Sequence, residues 1–306
     1  MDSKVTVAGV IGTGLMGVGI ATQCALHGLR TIVHDVDAAR LASVNAKAQA
    51  VLDELIDAGR IDAATRDAAL AHIETSTQLD VMAQAQFVFE AVPEVLELKH
   101  RLYAQLNDVL ASDAILASNT SGFEPDRLAQ ALHAPQRFVI AHFWNPPHMI
   151  PLVEVVPGSA TAPDVTARTE ALMSAIGMEP VVLAKSIPGF VGNRLQFAVL
   201  REALNIVRSG AASPEVVDRV MKASLGRRWS IVGPLESADM GGLNTFVDIS
   251  SHLMPELAKD EEVIDLLREQ VDAGRVGVRS GAGFYEWDEA HLARVKAARR
   301  KLIAGG

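Results

Sequence analysis

The glycine-rich stretch VIGTGLMGVGI, Val10 to Ile20, decides the fold prediction for this chain. Gly12, Gly14 and Gly17 form the pattern G-x-G-x-x-G between an apolar run typical of a strand and the start of a helix. In this pattern the first glycine permits a tight turn, the second lets a pyrophosphate approach the backbone, and the third lets helix and strand pack closely. Free N–H groups at the helix terminus then bind the phosphates.

An aspartate follows where a dinucleotide-binding fold needs an acid. Asp35 ends the segment TIVHD, eighteen residues after Gly17, and this segment is typical of the second strand. Its carboxylate would accept hydrogen bonds from the adenosine ribose and repel a 2′-phosphate, which favours NAD over NADP. The alternative is a tight turn and a solvated aspartate. The strand, the helix and the acid all occur at the spacing of a dinucleotide-binding motif, which favours NAD binding.

The order of the segments predicts an α/β fold, a Rossmann-type doubly wound and mostly parallel sheet, followed by an all-α C-terminal domain. Further strands are expected at AQFVFEAV, AILASN, RFVIAHF and PLVEVVPG. At about 38–75 we expect an inserted helical hairpin, whose first helix is one long element ending at Gly59. The pattern becomes helical after Lys185, so we predict an NAD-binding domain at 1–185 and a helical domain at 186–306.

Composition disfavours several classes of protein. The 28 basic and 37 acidic residues among 306 give a net charge of −9, so nucleic acid and anionic membranes are poor partners. Polar residues interrupt every apolar run of membrane length, and the start MDSKVTVAGVIGTG has no basic leader of a signal peptide. The single cysteine, Cys24, suits a reducing cytoplasm, and we expect it to be a small buried helix residue. No metal site is predicted.

Three apolar strands each end in polar residues, and ligands of a parallel sheet bind beyond the carboxyl ends of its strands. The side chains expected at this rim are Glu94 after FVFEAVP, Ser118, Asn119, Thr120 and Ser121 in ILASNTS, and His142 and Asn145 in FVIAHFWN. An isolated histidine is usually a core residue bonded to the backbone. Convergence of these groups on the rim that holds the cofactor favours a functional site instead.

Glu154 lies inside the apolar run PLVEVV, where an unpaired carboxylate would be costly to bury. His142 lies twelve positions earlier, across a turn that contains Pro146 and Pro147. An imidazole beside the carboxylate removes that cost, and the carboxylate fixes the tautomer of the ring. The sequence therefore predicts a His142–Glu154 dyad.

These residues belong to a longer set of motifs. In order they are IGTGLMGVGIA, EAVPEVLELK, ASNTS, HFWNPP with LVEVV, PGFVGNRL, GPLESADMGGL and SGAGFYEW. Along almost its whole length the chain resembles the L-3-hydroxyacyl-CoA dehydrogenase superfamily. The resemblance implies a Rossmann domain followed by a helical domain that dimerises, and oxidation of a 3-hydroxy group with NAD.

The resemblance also implies roles by position. His142 resembles the general base and Glu154 its orienting partner, while Ser121 and Asn193 resemble the groups that hold the substrate oxygen and the dyad in place. From the residues alone, Asn193 could equally cap the first turn of its helix. The residues similar to cofactor contacts are Leu15, Met16, Asp35, Glu94 and Lys99, with Asn145 near the nicotinamide. For Lys99 this role rests on the resemblance alone.

The substrate is less well defined. The segments PPHMIPLVEVV and SLGRRWSIVGPLES resemble the lambda-crystallin branch, which includes gulonate and other small hydroxy-acid dehydrogenases. Arg227 and Arg228, beside Trp229, could bind a substrate carboxylate or lie on a solvated loop. His148 could reach the site or lie on an exposed turn. We expect a small 3-hydroxy acid or a 3-hydroxyacyl-CoA. The alternative is a redox-silent, crystallin-like protein, which has no need of a carboxylate buried beside a histidine.

Overall fold

The computed structural model describes residues 5–304, which fall into two compact units. The first unit contains the chain up to Val191 together with the residues from Lys296 onward, and the second contains Gly192–Val295. Among the described residues, no helix is both long enough and apolar enough to cross a bilayer.

An eight-stranded sheet forms the centre of the first unit, in the order β3-β2-β1-β4-β5-β6-β7-β8. Its strands are β1 Val7–Ile11, β2 Arg30–His34, β3 Ile73–Ser76, β4 Phe87–Glu90, β5 Ile115–Ser118, β6 Phe138–Phe143, β7 Leu152–Pro157 and β8 Glu179–Val182. All neighbours are parallel except β6 and β7, which are antiparallel. The prediction of a doubly wound, mostly parallel sheet is therefore confirmed. The order reverses between β1 and β4, the kind of point where such sheets bind ligands.

Seven helices of the first unit connect these strands. They are α1 Leu15–Leu26, α2 Ala38–Ala42, α3 Val44–Asp57, α4 Ala63–Ala71, α5 Leu96–Val109, α6 Pro125–Ala129 and α7 Pro163–Ala175. Buried apolar side chains form one cluster around α1 and a second cluster around α5. Cys24 is buried in α1, as expected, and burial raises the pKa of its thiol to about 12.

The prediction of one long helix in the hairpin was wrong. The helix is interrupted at Ser43, whose hydroxyl donates to the Arg40 carbonyl at 2.7 Å, so α2 and α3 are separate. A serine side chain that binds a nearby backbone carbonyl competes with continuation of the helix. Strands β3 and β8 were also missed, because both are only four residues long and largely exposed, so neither forms a buried apolar run.

The second unit is helical, and this confirms the predicted all-α domain. Its helices are α8 Gly192–Arg208, α9 Pro214–Ala223, α10 Leu225–Trp229, α11 Pro234–Gly241, α12 Leu243–Leu253, α13 Asp265–Asp272 and the beginning of α14 Glu289–Ile303. Ser213 is the N-cap residue of α9 and Pro214 its first residue; the Ser213 hydroxyl donates to Glu215 Oε2 at 2.6 Å and accepts from no helix N–H.

The division between the units differs from the predicted boundary of 185/186. It falls six residues later, after Val191, and the last residues of the chain cluster with the first unit. Arg60 donates to the Ile303 carbonyl at 3.2 Å, and Arg300 pairs with Asp57 at 2.9 Å. These contacts hold the end of α14 against the helical hairpin, which the sequence pattern did not indicate.

Candidate active site

The glycine loop between β1 and α1 has the geometry that its motif predicts. Gly12 has a φ of +104° and its N–H donates to the His34 carbonyl at 2.8 Å, while an added Cβ would lie 2.7 Å from the Ala91 carbonyl oxygen. A Cβ on Gly17 would overlap the Gly12 carbonyl. At Gly14, by contrast, a Cβ would meet nothing within 4 Å, so this glycine leaves open surface beside the loop.

The first turn of α1 presents this surface to a ligand. Gly14 is the N-cap and no side chain caps the helix, so its first N–H groups are available to an anion. Leu15 is 70% exposed, and the partly buried Met16 packs against the core. Gly19 was not predicted as a functional position, and an added Cβ there would lie 2.9 Å from Pro147. A glycine here lets α1 contact the proline turn that follows His142.

Asp35 lies directly after β2 and is anchored to the glycine loop. Its Oδ2 accepts from the Thr13 N–H at 3.0 Å and from the Thr13 hydroxyl at 2.6 Å, and its Oδ1 accepts from the Asp37 N–H at 3.0 Å. Partial burial raises the pKa of Asp35, but these hydrogen bonds outweigh it and hold the pKa below its usual value. A charged carboxylate is therefore fixed where the ribose of a dinucleotide is expected.

His142 and Glu154 face each other across the antiparallel pair β6–β7, where they are register partners. His142 Nδ1 lies 3.0 Å from Glu154 Oε2, and the two residues are 5% and 1% exposed. A carboxylate can only accept, so Nδ1 supplies the hydrogen of this contact, and Nε2 is the other nitrogen of the ring. The predicted proximity of the two side chains is thus present.

A backbone turn after β8 contacts the second carboxylate oxygen of Glu154. The Val191 N–H donates to Glu154 Oε1 at 2.9 Å, and Trp144 Nε1 lies 3.4 Å from Oε2. Phe190 has a φ of +50°, rare for a residue with a side chain, and its buried ring lies 5.5 Å from the His142 ring between centroids. The PGF sequence at 188–190 is the signal that could have indicated this turn.

The loop after β5 lies beside the end of β6. Asn119 Oδ1 accepts from the Phe143 N–H at 2.8 Å, which ties the two strand ends together. Glu94 Oε1 accepts from the Thr120 hydroxyl and from the Ser121 N–H at 3.1 Å. Ser121 and Asn145 are exposed at this rim.

Ser118 and Lys99 are both buried beside Glu90, a carboxylate that was not predicted as a site residue. Ser118 was expected at the rim, but it is fully buried and its hydroxyl donates to Glu90 Oε2 at 2.7 Å. Lys99 is 1% exposed, and its ammonium lies 2.7 Å from Glu90 Oε1 and 3.2 Å from Glu94 Oε2.

The remaining candidates have different surroundings. His148 is not on an exposed turn, because its side chain is 6% exposed and Nε2 lies 3.1 Å from Glu54 on α3. In the second unit, Asn193 lies in the first turn of α8, and the exposed Arg227, Arg228 and Trp229 form the end of α10. No cluster of metal-ligating side chains is present in the described part of the chain.

Both parts of the chain match known proteins. Residues 7–187 match the model of the 3-hydroxyacyl-CoA dehydrogenase NAD binding domain, and residues 189–287 match that of the 3-hydroxyacyl-CoA dehydrogenase C-terminal domain. The dehydrogenase of 5-formyl-3-hydroxy-2-methylpyridine 4-carboxylate from Mesorhizobium japonicum is 34% identical over 96% of this chain and 95% of its own length. A solved structure of an NAD⁺-dependent enzyme of that description has a TM-score of 0.87, with 31% identity over 98% of this chain and 97% of the other.

Two further relatives cover most of the sequence. The 3-hydroxybutyryl-CoA dehydrogenase of Mycobacterium tuberculosis is 34% identical over 94% of this chain and its own full length. Lambda-crystallin of Oryctolagus cuniculus is 34% identical over 82% of this chain and 80% of its own length. Both halves of the chain therefore match one family, in the predicted order. The chain belongs to the 3-hydroxyacyl-CoA dehydrogenase family.

Proposed function

We propose that this protein is an NAD-dependent dehydrogenase that oxidises a 3-hydroxy group to a 3-keto group, with His142 as the general base. The observation that supports this most directly is the buried His142–Glu154 pair, with its Nδ1–Oε2 distance of 3.0 Å. A buried carboxylate that accepts from Nδ1–H leaves Nε2 as the basic atom of the ring. A purely structural protein has no need of such an arrangement.

The glycine loop fits the cofactor. Open space at Gly14, uncapped N–H groups at the start of α1 and the anchored Asp35 supply the surfaces for a pyrophosphate and a ribose. When bound, NAD supplies the acceptor for the hydride. Leu15, Met16, Glu94 and Asn145 are the further residues that we propose line its site.

The chain's own residues then handle the proton. His142 Nε2 accepts the proton of the substrate hydroxyl, and Glu154 stabilises the positive ring that results. Ser121 and Asn193 are proposed to hold the substrate oxygen and the dyad in position. The Val191 N–H keeps the second oxygen of Glu154 occupied, so the carboxylate stays directed at the ring.

The substrate is proposed to be a small 3-hydroxy acid or a 3-hydroxyacyl-CoA. The names of the relatives include both a pyridine carboxylate dehydrogenase and a 3-hydroxybutyryl-CoA dehydrogenase. Arg227, Arg228 and Trp229 are exposed on α10, and we propose them as candidates for binding a carboxylate. The test is NADH formation, read by absorbance, from a panel of 3-hydroxy acids and 3-hydroxyacyl-CoA esters. Absence of NADH formation across the panel would favour the redox-silent alternative.

Substitution of His142 tests its role on the substrate found. Loss of a general base lowers the rate by ~10²–10⁴-fold, so His142→Ala should lower kcat in that range with NAD affinity nearly unchanged. Glu154→Gln keeps the shape but not the charge, and it should lower kcat more than it raises KM. His148→Ala is the control, because His148 contacts Glu54. Wild-type kcat in His142→Ala would show that another residue is the base.

Gly14 and Gly17 test the cofactor site separately from the fold. Gly14→Ala adds a methyl group in open space, so the protein should keep its stability and lose at least about tenfold in NAD affinity. Gly17→Ala overlaps the Gly12 carbonyl and should lower the melting temperature instead. Titration of protein fluorescence with NAD, beside thermal melting, measures both. Unchanged NAD affinity in Gly14→Ala would contradict the proposed pyrophosphate position.

The helical unit is proposed to form a homodimer. Large apolar side chains are exposed along α8 and α11–α12, among them Leu195, Phe197, Leu235, Met240, Leu243 and Val247. Apolar patches of this extent usually mark an interface. Val247→Asp should therefore give a monomer in sedimentation velocity, while Val36→Asp, at another exposed valine but in the first unit, should leave the oligomer unchanged. A wild-type protein that sediments as a monomer at micromolar concentration would contradict this.

A further inference from the structure

Glu90 is a buried carboxylate to which the proposed mechanism gives no role. It ends β4, is 0% exposed, and accepts hydrogen bonds from four groups. These donors are the Val92 N–H at 2.9 Å, Lys99 Nζ at 2.7 Å, the Tyr103 hydroxyl at 2.6 Å and the Ser118 hydroxyl at 2.7 Å. Burial, together with the charge of Glu90, raises the pKa of Tyr103 well above its usual value, so the phenol stays a donor.

Lys99 connects this carboxylate to a second one. Its ammonium is 1% exposed and lies between Glu90 Oε1 and Glu94 Oε2. Because the Glu90 contact fixes the end of the lysine side chain, Lys99 presents its charge to Glu94 in one direction only. The side chain of Glu94 is 43% exposed, so a buried cation holds one oxygen of a partly exposed carboxylate.

Glu94 in turn holds the loop that follows β5. Its Oε1 accepts from the Thr120 hydroxyl, the Ser121 N–H at 3.1 Å and the Gly122 N–H at 3.3 Å. One oxygen of Glu94 therefore faces Lys99, and the other accepts hydrogen bonds from three donors of a single loop. The loop carries Ser121, the residue proposed above to contact the substrate oxygen.

We propose that Glu90 and Lys99 are positioning residues, which act through Glu94 to fix the loop at 120–122 and thereby the place of Ser121. This inference rests on the proposed function for the part that concerns Ser121. It assigns Lys99 a role different from direct contact with the cofactor, because both of its observed partners are carboxylates of the protein. A fixed loop holds a catalytic group in its productive geometry, which is a general requirement of enzyme sites.

Hydrogen exchange tests the hold on the loop without any need for activity. Lys99→Met keeps the linear side chain and removes the ammonium, so the Ser121 and Gly122 amides should exchange at least tenfold faster. Glu97→Gln changes an exposed acid on the same helix and should leave these rates unchanged. If Lys99→Met does not fold, the double variant Glu90→Gln/Lys99→Met removes both buried charges and should show the same increase. Unchanged exchange in a folded variant overturns the proposal.

A double-mutant cycle with Ser121→Ala tests the functional part. Lys99→Met should lower kcat/KM at least tenfold in the wild-type background and less than twofold in the Ser121→Ala background, since the positioned group is then already gone. The dissociation constant of NAD alone should change less than threefold. A loss of NAD affinity above tenfold with unchanged loop exchange would make Lys99 a cofactor contact and overturn the proposal. Faster loop exchange in Lys99→Met together with full activity of Ser121→Ala would support the role of Lys99 in fixing the loop. It would contradict only the proposed role of Ser121.

Discussion

Two glutamates are buried in the same sheet with different partners. Glu90 at the end of β4 faces a lysine and the hydroxyls of Tyr103 and Ser118, whereas Glu154 in β7 faces His142 and the backbone of Val191. Both are almost fully buried, at 0% and 1% exposure. The first carboxylate has the ammonium of Lys99 beside it. The second has an imidazole ring, a group that proteins use as an acid or a base.

This difference matches the two roles that we propose, a structural one for the Glu90 pair and a reactive one for the Glu154 pair. A buried ion pair suits the holding of a loop. An imidazole can take a proton only if it is neutral beforehand, so the Glu154 pair must tolerate both states of the ring. We therefore expect substitutions at the Glu90 site to lower mainly the stability and substitutions at the Glu154 site to lower mainly the catalytic rate.

The largest expected effect on stability comes from removal of the cation. Lys99→Met leaves Glu90 buried without its ion-pair partner, which costs about 3–5 kcal/mol of unfolding free energy. His142→Ala removes one hydrogen-bond partner of Glu154, which keeps the Val191 N–H, so about 1–3 kcal/mol should be lost. Urea denaturation near neutral pH measures both. Equal losses would show that the two pairs do not differ in the way proposed.

One substitution at each site should show a different balance between the loss of stability and the loss of catalytic rate. Tyr103→Phe deletes the 2.6 Å hydrogen bond to Glu90 and should cost about 1.5–3 kcal/mol, with kcat changed less than about threefold because Lys99 keeps its place. Glu154→Gln should show the reverse, a larger loss in kcat than in stability. A Tyr103→Phe protein with normal stability and low kcat would contradict the comparison.

Much of the reactive site could be predicted from the sequence. The carboxylate in PLVEVV required a partner, and the structure places His142 opposite it in the β6–β7 register. The same argument applied to FVFEAV would have identified Glu90. It could not have identified Lys99, because LKHR at 98–101 presents three basic residues in succession, and only the rotation of α5 decides which one faces the sheet.

Non-local pairing explains most of what the sequence did not indicate. Strand β8 is short and exposed, and it pairs in parallel with β7 after the crossover helix α7. The contact of α14 with the helical hairpin joins residues far apart in sequence, such as Arg300 and Asp57. The dimer, the cytoplasmic location and the roles of the site residues stay predictions.

Asp35 is a third carboxylate for this comparison, partly exposed and held mainly by neutral donors. We expect its substitution to have the smallest effect on stability. Its hydrogen bonds from Thr13 and Asp37 hold its pKa in the folded protein below the ordinary 3.8. Because the pKa of Asp35 is lowered in the folded protein, its charged form stabilises the fold at pH values above the pKa of the unfolded protein. This contribution is lost as the pH falls through the pKa of the folded protein. Solvent screening keeps the contribution small. In the protein without NAD, wild type should therefore exceed Asp35→Asn in stability near pH 6, and the difference should shrink between about pH 5 and pH 2. Thermal melting across this range measures it, and a difference that grows on acidification would show that the Thr13 contacts do not favour the charged carboxylate.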